Sequence, residues 1–193
     1  RDSSLFNLFL IDGFECVNYD IENGSQFYLV DDAVWEPLLR SIAAGEYAAW
    51  CACPMCATFS KLLNLPGPPP LRDASGPGRY GRKDNTPEQN EKVRKHNIVA
   101  VRVAAALEAF RTQKLPGVFE TPRASAKQVS VLNLDEYLAL LTHPEVERTH
   151  GLRCPFGQLP AKDTDWVHFG VPRMREMPTV YPHPLRIWYN QRD

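Results

Sequence analysis

The chain has 193 residues, 44% hydrophobic and 23% charged, which suits one domain, or one with an appendage, and leaves length for a real core. Twenty-two basic side chains against 23 acidic ones give a formal charge of −1, so there is no global electrostatic signal for nucleic acid and any such signal is local. No apolar run reaches the roughly 20 residues of a membrane helix, and five cysteines, an odd number, argue against a disulfide framework and for a reducing, intracellular compartment, cytoplasm or nucleus.

The first residues, Arg1-Asp2-Ser3-Ser4, lack an initiating Met and a secretory pattern, which suggests a processed product or a domain cut from a longer polyprotein. Ser4–Phe9 is a short apolar strand candidate. Glu15–Asp20 is a second, ending on an acid before the turn Glu22-Asn23-Gly24. Asp32–Ala44 reads as a helix, with Val34, Leu38, Leu39 and Ile42 on one face and Gly45 after its end. Ala48–Cys53 is a third strand, and the turn Cys53-Pro54-Met55-Cys56 follows it. Pro66 through Asp84 is rich in Gly, Pro and Arg without apolar periodicity, so residues 61–85 are expected to form a long mobile loop. Thr86-Pro87-Glu88-Gln89 then opens a helix with a capping box and Pro at its first position, running to about Gln113.

Gly117–Glu120 is a fourth strand, again ending on an acid. Asn133-Leu134-Asp135-Glu136 caps a helix to about Leu141, and Arg148–Cys154 and Trp166–Phe169 are two last strands. Alternating strands and helices argue for an α/β fold with a mostly parallel sheet and helices on both faces. Residues 1–170 form that domain, and 171–193 a C-terminal arm with turn character and little periodicity.

Three residues that carry chemistry fall at or just past expected C-terminal strand ends: Asp20, Cys56 and Glu120. In a doubly wound sheet these ends share one edge, where ligands bind. An acid after the second strand commonly takes the ribose hydroxyls of an adenosine-containing cofactor. Asp31 and Asp32 either cap a helix or meet the adenine ring. Cys56 is either a buried structural thiol or a nucleophile activated in a polarised turn. Cys51, Cys53 and Cys56 also invite a zinc reading, but only Cys154 and scattered histidines could complete four ligands.

These residues carry a resemblance. Pro54-Met55-Cys56-Ala57-Thr58-Phe59-Ser60 resembles the Pro-Pro-Cys-x-x-Phe-Ser signature of DNA cytosine-5 methyltransferases. Phe119-Glu120-Thr121-Pro122 is similar to their Glu-Asn-Val or Glu-Asn-Pro motif, and Tyr19-Asp20-Ile21-Glu22 to their second-strand acid. The tail Cys154-Pro155-Phe156-Gly157 with Lys162-Asp163-Thr164 is closer to a divergent branch seen in phages and mobile elements. The resemblance spans most of residues 5–170 and implies a Rossmann-like, class I S-adenosylmethionine-dependent methyltransferase fold. It implies methyl transfer to C5 of a cytosine flipped out of DNA, with RNA the alternative, with Cys56 adding to C6 and Glu120 binding the N3 and N4 edge. It places Phe6, Asp20, Ile21, Asp32 and Pro54 at the cofactor. It places Ser60, Arg72, Arg79, Arg82 and Lys83 in the loop that closes over nucleic acid, where the alternative for the cations is plain solvation.

Three parts of the family pattern have no counterpart. Leu5–Phe9 runs almost directly into Ile11-Asp12-Gly13-Phe14, which leaves no room for a Gly-rich cofactor turn and its helix. A Gln-x-Arg-x-Arg motif is missing, with Arg153 and Lys162 the nearest substitutes, and the chain is short for a target-recognition domain. A non-catalytic remnant or partner protein with a defective cofactor site is therefore the alternative. Elsewhere, Trp166, Trp188, Tyr181 and Tyr189 could stack on bases, although such aromatics are more often core or edge packing. His168 and His183 lack a partner at metal spacing and read as surface or satisfied core histidines.

Overall fold

The structure, a computed structural model, describes residues 15–54, 57–59, 69–123, 128–152 and 163–176. The expected strand at Ser4–Phe9 lies outside them, as does the arm from 177 onward.

Residues 15–20 carry no regular structure, contrary to the strand expected there, and two short 3-10 turns follow, Ile21–Asn23 and Ser25–Phe27. The local reason is Asp20 itself. Its Oδ1 accepts the Glu22 amide at 2.9 Å and its carbonyl accepts the Asn23 amide at 2.9 Å, so the acid closes a turn instead of ending a strand.

Helix α1, Asp32–Ala43, follows the sequence closely. Asp31 is its N-cap and accepts the Ala33 amide at 2.9 Å, and the helix buries Trp35, Leu38 and Ile42 along one stripe. Helix α2, Pro87–Thr112, starts on the expected capping box: Thr86 Oγ1 takes the Gln89 amide, and the Gln89 side chain takes the Thr86 amide at 2.8 Å. Burying Val93, Val99, Ala100, Val103, Ala104, Ala106, Leu107 and Phe110 makes α2 the central support of the domain. Helix α3, Asp135–Leu140, differs at its start. Asn133 does not cap it, because its amide donates to the carbonyls of Ala74 and Gln128 at 2.9 Å, and the Tyr80 hydroxyl accepts the Asp135 amide instead.

Four strands form one sheet: β1 (Trp50–Ala52), β2 (Gly117–Pro122), β3 (Glu147–Leu152) and β4 (Asp163–Phe169), in the order β1-β2-β4-β3. Only β1 and β2 pair in parallel; β2–β4 and β4–β3 are antiparallel, so the described sheet is mixed and not mostly parallel. The cause is chain length. A parallel crossover takes roughly a dozen residues or more, and the connection at 153–162 is too short for one.

One face of the sheet packs on α2 and α3. Trp50 meets Phe110 at 5.8 Å between ring centroids, Phe119 meets Tyr137 at 4.8 Å, and the buried Tyr137 hydroxyl donates to the Ala100 carbonyl at 3.0 Å. By the strand alternation, Glu120, Thr164 and His168 belong to the opposite face.

Candidate functional site

The parallel ladder sets the site. Trp50 pairs with Gly117 and Ala52 with Phe119, so Cys53, just past the end of β1, comes beside Glu120, two residues before the end of β2. Glu120 is 4% exposed. The Cys53 thiol donates to its Oε2 at 2.5 Å, and the Thr164 hydroxyl approaches Oε1 at 3.5 Å from β4. A carboxylate taken out of water in this way needs donors, and it can present its oxygens to the N–H groups of a planar polar ligand at the sheet edge. Cys51 is a poorer candidate thiolate. Its thiol is pushed up to about 11, first by loss of hydration among packed atoms and then by the Glu120 carboxylate, although part of its surface is exposed.

Glu120 lies in the expected strand, but that strand runs two residues further, to Pro122, so the acid does not end it; half-buried Pro54 follows Cys53. Cys56, Phe6, Ser60, Arg153 and Lys162 lie outside the described residues. The expected cofactor acids are elsewhere. Asp20 and Ile21 belong to the turn before α1, and Asp32 in the first turn of α1 forms an ion pair with Arg102 of α2. Arg102 also donates to the Leu29 carbonyl at 2.7 Å, so this pair ties the two helices together.

The cations expected to meet phosphates are mostly engaged within the protein. Arg79 donates to the Asn133 carbonyl and pairs with Asp135, both at 2.8 Å. Arg82 holds Asp84 with two N–H groups at 2.8 and 2.9 Å and reaches Asp73 at 3.4 Å. Lys83 is exposed. Arg72 departs furthest from expectation, being 1% exposed, with its guanidinium 3.8 Å above the Phe59 ring. Its Nε and Nη2 donate to Thr58 Oγ1 at 3.1 and 3.0 Å, and Nη2 also reaches the Val93 carbonyl at 3.3 Å. Its Nη1 donates to Asn97 Oδ1 at 2.7 Å and to the Arg79 carbonyl at 2.9 Å. Burial pushes this guanidinium down to about 10. Residues 69–85, expected as part of a mobile loop, are therefore anchored on α2 by Arg72 and by the 3-10 turn Pro77–Tyr80, whose Tyr80 carbonyl accepts the Asn97 side chain, while Asn85 ties the segment to itself at the Leu71 carbonyl.

Two groups of functional interest escape the sequence reading. Cys53 carries the hydrogen bond to Glu120, yet nothing in Cys-Pro-Met-Cys ranks one thiol above the other. The cluster of Thr58, Arg72 and His96 has a visible trace: His96 stands three residues after Val93 and four before Ala100, a polar side chain within a helical apolar stripe. His168 is a satisfied core histidine, 1% exposed, with Nε2 2.7 Å from Thr149 Oγ1. Trp166 is the ladder partner of Glu120 and is half-buried. Among the described residues, no group of three or more His, Cys, Asp or Glu side chains is placed to hold a metal ion, and no helix is long and apolar enough to cross a membrane. No protein-family model, curated protein or solved structure matches this chain.

Proposed function

We propose that the chain is a cytosine-5 DNA methyltransferase-like domain acting on a cytosine flipped out of DNA. One observation carries the reading: a buried, hydrogen-bonded glutamate of β2 stands beside Cys53, which follows the end of the adjacent parallel strand and opens the Cys-Pro-Met-Cys sequence. Glu120 accepts a hydrogen bond from the N4 amino group and relays a solvent proton to N3, taking it back when the sulfur–carbon bond breaks, which draws electron density out of the ring. The Cys56 thiolate then adds to C6: a sulfur–carbon bond forms, the C5–C6 π pair moves to C5, and C5 becomes nucleophilic. In water this carbon takes up a solvent proton and loses its original one, and the sulfur–carbon bond breaks to restore thiolate and cytosine.

S-adenosylmethionine is the methyl donor of the full reaction. The described residues do not form its cradle, because Asp20 and Asp32 are committed to a turn and to an ion pair.

Deuterium exchange at cytosine C5 in D2O tests thiol addition without any methyl donor. Wild-type protein is expected to exchange C5 in a cytosine-containing DNA oligonucleotide, Cys56→Ser to abolish exchange, and Glu120→Gln to slow it about 100-fold. Absence of exchange in the wild type, or full exchange in Cys56→Ser, overturns the proposal. Exchange confined to an RNA oligonucleotide overturns the DNA assignment. The local use of Asp20 and Asp32 favours a second reading, a remnant that keeps the fold without binding cofactor. Calorimetric titration with S-adenosylmethionine separates the two: heat of binding supports the enzyme, and none supports the remnant.

A further inference from the structure

A buried arginine with only neutral acceptors calls for a purpose, since taking a cation out of water costs several kcal/mol unless its hydrogen bonds are all met. Here they are met in a particular pattern. Arg72 reaches forward to α2 through Asn97 and the Val93 carbonyl, and backward to Thr58 and Phe59. Thr58 follows Cys53 by five positions, and both it and Phe59 are buried. Cys53 on Glu120 and Thr58 on Arg72 are thus each held by a buried polar group.

The protons in this cluster follow from counting. Thr58 Oγ1 accepts two N–H groups from Arg72, and a hydroxyl has one proton to give, which goes to His96 Nδ1 at 2.9 Å. His96 is therefore neutral, with its proton on Nε2. Protonated His96 would offer Thr58 a third donor and set a second cation beside Arg72. Around this ring stand Arg72 from the preceding segment and Lys92 on its own helix, both cations.

We propose that Arg72 is a positioning residue: acting through Thr58, whose hydroxyl is oriented by neutral His96, it helps keep the Cys53 thiol on Glu120. This inference rests on the cysteine–glutamate reading above, and its test needs neither nucleic acid nor cofactor.

The readout is the pH–rate profile of iodoacetamide alkylation at Cys53, resolved from the other thiols by peptide mass spectrometry. Thr58→Ser keeps the hydroxyl and is expected to overlay the wild type. Thr58→Val and Arg72→Lys are expected to shift the profile by about one pH unit, a tenfold change in thiolate near neutrality. Amide exchange in α2 identifies the variants that remain folded, and Arg72→Lys carries the test should Thr58→Val fail to fold. Wild-type profiles in both Thr58→Val and Arg72→Lys overturn the inference, as does a Thr58→Ser profile shifted like theirs. Failure of the methyltransferase reading is seen separately, as absence of C5 exchange by the wild-type protein.

Discussion

At the scale of single residues, His96 links structure to pH. Its ring is 7% exposed, and its pKa is pushed down from 6.5 to about 4, by burial first and then by Arg72 and Lys92. The unfolded chain therefore binds a proton that the folded chain refuses between these values. Stability is complete above pH 6.5, falls as pH drops through that window, and is fully lost from this group below about 4. The loss is on the order of 3 kcal/mol at ~1.36 kcal/mol per pH unit. Carboxylates such as Glu108, held down by its bond to Arg111, also lose stabilisation on acidification, so the expected signal is a difference. Urea denaturation from pH 7 to 4 should show a shallower decline for His96→Gln than for wild type. Parallel declines would mean that the ring titrates normally. His96 was legible as a polar residue in an apolar stripe. Arg72 was not, because a Gly- and Pro-rich segment has no periodicity to reveal a buried side chain, and a cation there looks like any solvated one.

At the scale of elements, legibility followed how local the signal was. The α2 start lies within four residues, Thr86 to Gln89, and is read directly. The expected strand at 15–20 failed because Asp20 serves a turn as readily as a strand end. The beginning of β4 was missed because Asp163-Thr164-Asp165 looks polar, although Thr164 and Asp165 are buried and Asp165 is held by Arg148 at 2.5 Å. Strand direction is not legible in a strand's own pattern, which is the same read parallel or antiparallel, but only in the length of its connection, here the short stretch between β3 and β4. One glycine carries information that pattern alone does not. A Cβ on Gly117, at the start of β2, would fall inside the ring of Phe169, its buried ladder partner on β4. Gly117→Ala is expected to destabilise the protein by about 1–3 kcal/mol through overpacking. Thermal unfolding checks this, and a second substitution, Phe169→Leu, should recover part of the loss. An unchanged midpoint in Gly117→Ala would mean that the β2–β4 register is different.

At the scale of the whole molecule, the site depends on elements that share α2 as a support. Glu120 is fixed by β2, the cysteine turn by β1, and Thr58 by Arg72, and each of these rests on the helix: β1 through Trp50 and Phe110, Arg72 through Val93 and Asn97, and α3 through Tyr137 and Ala100. The helix is thus a common foundation, and the residues that would do chemistry cannot rearrange far while it is folded. The segment at 15–31, held mainly by short-range turns, shares less of that foundation. Amide exchange should therefore be slowest in the middle of α2 and in β2 together, both opening only with global unfolding, and faster at 15–31. Leu107, fully buried, tests whether they form one cooperative unit. Leu107→Ala should cost about 2–5 kcal/mol and speed the slowest amides of α2 and β2 by a common factor, roughly 30-fold or more. Acceleration in α2 with β2 unchanged would split the domain into independent parts. The glutamate would then be held by the sheet alone, and the arginine cluster on α2 could not position anything against it.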